Sequence, residues 1–110
     1  MFDYKMVREG ELSTVFFKGD MDIEITEVME EEILPGLQHV QQVELNFAAV
    51  SFVDSTGIGL LMNLVQYLKE QEISVTVTQL SEQILEVFDL LQIPDILGRE
   101  VFPIYSIEND

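Results

Sequence analysis

Asp54, Ser55 and Thr56 stand together between an apolar pair, Phe52 and Val53, and two glycines, Gly57 and Gly59. A carboxylate beside two hydroxyls and bare backbone could serve three chemistries. An aspartic protease needs Asp followed directly by Thr or Ser and then Gly, in an all-β barrel. Here one extra residue intervenes and a helical segment follows. A serine nucleophile needs a base within hydrogen-bond reach and a third group to orient that base. The chain has one histidine, His39, in a polar turn region before a strand, and no G-x-S-x-G elbow. A phosphate-binding loop would use two glycines at a strand-to-helix turn. The P-loop lysine is missing, however, and Asp54 would repel a nucleotide. Each reading lacks a partner residue. What remains is Ser55 at a helix N-terminus, as a cap, as an acceptor of phosphate, or as both. Gly57 and Gly59 would leave the backbone open to the approach of another protein.

The elements around this stretch follow from periodicity. "MVREGELSTVFFKG" reads as two strands about Glu9-Gly10, a hairpin. "DIEITEVMEEEIL" places Ile25, Val28, Met29 and Ile33 at helical spacing, and Pro35-Gly36 should kink or end that helix. "VELNF" and "ISVTVT" alternate strictly. Between them "GIGLLMNLVQYLKE" is long enough for a helix of four turns. Its apolar arc is about twice the roughly 100° that faces a core. A second helix should cover the extra stripe, or part of the stripe near its N-terminal end should serve for docking. "SEQILEVFDLL" is a further helix with Ser81 at its N-cap. "PDIL" adds a short turn, and "EVFPIY" a last edge strand.

The expected order is β-β-α-β-α-β-α-β in one domain, residues 1–110. Helices between strands imply parallel pairing. Strands with one polar face imply a sheet covered on one side, and right-handed crossovers then wind in one direction. Such a mixed sheet of four to five strands, with helices mainly on one face, lacks the reversal point at which nucleotides usually bind.

Composition narrows the function. Twenty-one acidic residues against five basic ones give a formal net charge of −16. That balance disfavours nucleic acid and anionic lipid, both of which require Lys and Arg. Its plain reading is solubility, and its sharper reading is a basic protein partner. Cysteine is absent, and no residue pattern calls for a cofactor or a metal. The polar N-terminus is not a secretory signal, and no apolar run is long enough to span a bilayer. A soluble cytoplasmic protein is expected.

"VSFVDSTGIGLL" resembles the signature of the bacterial anti-sigma factor antagonists, which are STAS domains. "GDMD", Gly19 to Asp22, is similar to that family's loop after the second strand, and "LEVFDLLQI" to its third helix. The resemblance covers nearly the whole chain. It implies a non-enzymatic binding module in which Ser55 is the phosphate acceptor. The partner-binding residues would be Asp22, Asp54, Ser55, Thr56, Gly57, Ile58 and Gly59. The implied partners are an anti-sigma factor with a histidine-kinase-like ATPase fold and a serine phosphatase. Binding frees the sigma factor, and phosphorylation ends the binding. A structural STAS subunit, docking through the same helix without a phosphorylation cycle, is the second possibility.

Overall fold

The structure, a computed structural model, describes residues 2–104. Strands β1 (Asp3–Glu9) and β2 (Leu12–Met21) form an antiparallel hairpin that turns at Gly10, whose φ of 62° lies in the left-handed region. β3 (Gln42–Val53) pairs parallel to β2, and β4 (Ser74–Thr78) pairs parallel to β3. Spatial order follows chain order, β1-β2-β3-β4.

The alternation in the strands decides where the helices lie. Val15, Phe17, Val43, Leu45, Phe47, Val75 and Val77 are buried on one face. Thr14, Phe16, Glu44, Asn46, Thr76 and Thr78 fall on the other, which the helices leave open. There the Thr78 hydroxyl donates to Glu44 Oε2 at 2.8 Å across β3 and β4. The buried face receives Ile25, Met29 and Ile33 from the first helical run, Leu61, Leu64, Val65 and Leu68 from α3 (Ser55–Glu70), and Ile84 and Phe88 from α4 (Glu82–Leu90). The expected one-sided mixed sheet is observed, with four strands among the described residues. Ser81 caps α4 as expected, its hydroxyl accepting the Ile84 N–H at 3.2 Å.

The first helical run is less regular than its periodicity suggests. A 3-10 turn (Ile23–Ile25) leads into α1 (Thr26–Val28), a π segment (Met29–Ile33) and α2 (Leu34–Gly36). Pro35 does not stop the chain at Leu34. The Leu34 N–H donates to the Met29 carbonyl, five residues back. A widened turn of this kind lets a helix accommodate a residue that cannot join its regular ladder.

The C-terminal segment departs from expectation. The described part of "EVFPIY" forms no strand, and Tyr105 lies outside the described residues. After α5 (Ile93–Leu97), Gly98 turns the chain at a φ of 106°, and Arg99–Val101 form a 3-10 turn. Val101 and Phe102 are buried instead of pairing at an edge. Phe102 belongs to a chain of edge-on rings through the core: Phe17–Phe47 at 5.5 Å, Phe47–Phe88 at 6.4 Å and Phe88–Phe102 at 6.0 Å. Burying that ring is worth more than the few ladder bonds an edge strand with Pro103 could make. Lys69 fixes the same segment by donating to the Leu97 carbonyl at 2.7 Å and pairing with Glu100 at 3.1 Å.

Candidate functional site

The site is built at the carboxyl ends of two adjacent parallel strands. Met21 of β2 is in register with Val53 of β3. An aspartate follows each, Asp22 and Asp54, so register alone sets the two side by side. Each caps the helical turn that it begins. Asp22 Oδ1 accepts the Glu24 N–H at 2.9 Å, and Asp54 Oδ1 accepts the Gly57 N–H at 2.9 Å. The Asp54 N–H in turn donates to the Met21 carbonyl at 3.1 Å, tying the two strand ends together.

Ser55 is therefore not the cap. It is the first residue of α3 and is exposed. Asp54 keeps the extended backbone of an N-cap, with φ −96° and ψ −176°, and its carboxylate takes the free N–H at Gly57. A helix has one N-cap position, and here the residue before Ser55 fills it. Aspartate and serine are about equally good caps, so composition could not choose between them. The Ser55 hydroxyl is left without a structural task, at a helix N-terminus in contact with solvent.

The two glycines play opposite parts. Gly57 is buried, and a Cβ there would run into the Met21 carbonyl, with its carbon only 2.7 Å away. Its bare backbone seats α3 on β2, a packing role in the fold. Gly59 faces outward, with nothing within 4 Å of an added Cβ. Ile58 points into the core at 7% exposure. Of the residues singled out by sequence, Ser55 is exposed, and Asp22, Asp54, Thr56 and Gly59 are half-buried around it. Gly57 and Ile58 support them from beneath. Two exposed apolar side chains that the motif did not single out flank the aspartates: Ile23 directly after Asp22, and Phe52 two residues before Asp54. Their signal was their position beside the motif.

The surroundings bear on the chemistry. His39, in the left-handed turn after α2, shares a cleft with Tyr67 and Gln71. Tyr67 is twelve residues along α3 from Ser55, about 18 Å at a rise of 1.5 Å per residue. The chain's histidine is out of reach as a base. Lys69 and Arg99 are held in ion pairs with Glu100 and Asp95. Arg8 donates to the carbonyls of Gly10 and His39, and Lys5 and Lys18 stand on the open side of the sheet. No described Lys or Arg belongs to the Asp22 and Asp54 turns. Among the described residues no three His, Asp or Glu side chains are placed to hold a metal ion, and no helix is long and apolar enough to cross a membrane. The arrangement is a surface rigid beneath and anionic at its rim, with the exposed hydroxyl of Ser55 upon it.

Known proteins place this geometry. The family profile of the STAS domain matches residues 4–109. The anti-sigma-B factor antagonist of Staphylococcus epidermidis is 31% identical over 88 residues, covering 76% of this chain and 82% of that one. Among solved structures, an anti-sigma factor antagonist from Mycobacterium paratuberculosis superposes with a TM-score of 0.76 at 15% identity, over 89% of this chain and 84% of that one. The anti-sigma factor antagonist SpoIIAA in its unphosphorylated form gives a TM-score of 0.63 at 24% identity, over 81% and 82%. Its phosphorylated form, from Bacillus, gives 0.58 at the same identity, over 82% of each chain. With its one-sided sheet, its Asp-Ser-Thr-Gly turn and these relatives, this chain belongs to the STAS domain family and, within it, to the anti-sigma factor antagonists.

Proposed function

We propose that this chain binds an anti-sigma factor that is also a serine kinase of the histidine-kinase-like ATPase fold, and that phosphorylation of Ser55 ends the binding. Binding releases the sigma factor, a serine phosphatase restores the bare form, and the cycle runs in the cytoplasm. The observation that carries this reading is the free hydroxyl of Ser55, exposed at the first position of α3 while Asp54 does the capping. A hydroxyl with no structural role can be modified without loss of the fold.

The consequence of modification follows from charge. A phosphate adds nearly two negative charges. The free N–H groups and the dipole of α3 tolerate them, so the domain stays folded. Asp54 and Asp22 border the same spot, and an acidic group on the partner would meet the phosphate directly. Two unit charges 4 Å apart repel by about 1 kcal/mol in water and about 4 kcal/mol at an effective dielectric of 20. Filling of a close contact beside Gly59 adds to that. At about 1.4 kcal/mol per tenfold, a loss of roughly a hundredfold in affinity is expected.

The test is calorimetric titration of the kinase with the bare protein, Ser55→Ala and the phosphorylated form, with the phosphate mapped after incubation with kinase and ATP. Ser55→Ala should bind as tightly as the bare protein and resist modification. A phosphorylated form that binds as tightly as the bare one would sink the switch and leave a structural STAS subunit.

A further inference from the structure

β3 outruns its neighbour. β4 pairs with it only from Gln42 to Asn46, whereas β3 continues to Val53, beside the Ser55 turn. Two local features end the pairing. Gln79 takes a left-handed φ of 60° and carries the chain away after Thr78. The Asn46 side chain accepts the Ala48 N–H at 2.9 Å, at the level where a longer β4 would have continued. Beyond that point β3 has β2 on one side and no strand on the other, among the described residues. Its last residues, Ser51, Phe52 and Val53, form a cleft of about 110 Å³ with Gln83, Ile84, Val87 and Phe88 of α4. Phe52 is 54% exposed and Val87 39%. The cleft is large enough for one apolar side chain.

We infer that this half-edge of β3 receives an extended segment of the anti-sigma partner, which adds as a strand and places one apolar side chain between Phe52 and Val87. The inference rests on the function proposed above and extends its docking face from the Ser55 turn to α4. Strand addition draws affinity from main-chain hydrogen bonds and specificity from pockets for alternate side chains. Beyond Asn46 the β4 side of β3 has no strand pairing among the described residues, and the cleft supplies such a pocket. The occupant's chemistry follows from the surroundings. Asp54 lies at one end of the cleft, and Glu82, Glu86 and Asp89 lie along α4. An apolar segment with basic flanks fits, whereas a second copy of a chain with net charge −16 would be repelled.

The test pairs calorimetry with amide exchange, using the full chain and the purified anti-sigma kinase of the same organism. Phe52→Ser and Val87→Ser should each weaken binding about tenfold or more while the melting temperature stays close to that of the parent. Phe16→Ser, an exposed ring on the open sheet face, should change affinity less than twofold. Amides of residues 47–53 that exchange in the free protein should slow in the complex. If the parent does not bind the kinase at all, the proposed function falls, and this inference with it. If the parent binds and phosphorylation of Ser55 releases it, yet the cleft variants bind as the parent does, this inference alone is wrong. It is equally wrong if no amide on the β4 side of residues 47–53 exchanges in the free chain, because that edge would then already be covered. Self-association that Phe52→Ser abolishes would assign the edge to a second copy and overturn the proposal.

Discussion

At the scale of single residues, Asp54 carries the cap of α3 and Ser55 does not. Asp54→Ala removes the carboxylate that accepts the Gly57 N–H and should cost about 1 kcal/mol. Thermal melting should show a drop of roughly 4 °C. Ser55→Ala touches no cap, and a change within about 0.5 kcal/mol is expected, as for other surface sites. A larger loss for Ser55→Ala than for Asp54→Ala would return the capping role to the serine. The glycines give a second contrast. Gly57→Ala forces a methyl group against the Met21 carbonyl and should destabilise by more than about 2 kcal/mol, because backbone must move. Gly59→Ala meets open space in a helix interior and should stabilise by about 0.5–1 kcal/mol. Should denaturant titration find the two equivalent, the contact between α3 and β2 is not the reason for Gly57. The sequence marked this turn as special, and the structure gathers most of the marked residues at the ends of β2 and β3. It could not say which glycine faces inward, because that depends on the Met21 carbonyl, which lies 36 positions away in the chain. Nor could it assign the cap, since that depends on where strand register ends β3.

At the scale of elements, alternation was the legible signal. "VELNF" and "ISVTVT" show which side of the sheet is wet, and that fixed the side on which the helices pack. The last strand was misread for a physical reason. "EVFPIY" has strand-like residues, but Phe102 joins a line of packed rings with Phe17, Phe47 and Phe88, and tertiary packing overrode local preference. The line also explains how α4 is held, since Phe88 is its one fully buried ring, between Phe47 and Phe102. Phe88→Ala should cost about 3–5 kcal/mol, through lost burial and the cavity left behind. Equilibrium unfolding in urea measures this directly, and a loss below about 1.5 kcal/mol would mean that the rings are not what anchors α4. The π segment before Pro35 was not legible, because the periodicity of Ile25, Met29 and Ile33 is equally good for an ordinary helix.

At the scale of the molecule, charge governs encounters. A net charge of −16 on 110 residues gives a long-range field that a basic partner would sense before contact. Association with the anti-sigma kinase should slow as salt rises, since the Debye length falls from about 10 Å at 0.1 M to about 3 Å at 1 M. Stopped-flow rates that stay flat over that range would assign the encounter to apolar docking at Phe52 and Ile23 instead.

The strand order has a consequence for how the chain acquires its shape. Every strand lies beside the strand that precedes it in the chain, from β1 to β4. Among the described strands none has to be inserted between two that are already paired, and each new pairing closes a loop no longer than one helical crossover. The entropy of closure stays small at every step, because it grows only with the logarithm of loop length. A ribosome delivers the N-terminal residues first. The hairpin can therefore template β3, and β3 can template β4, in the order in which they emerge. The Asp22 and Asp54 turns at the ends of β2 and β3 are complete once α3 has been made, before the segment that carries Phe102 exists to close the core.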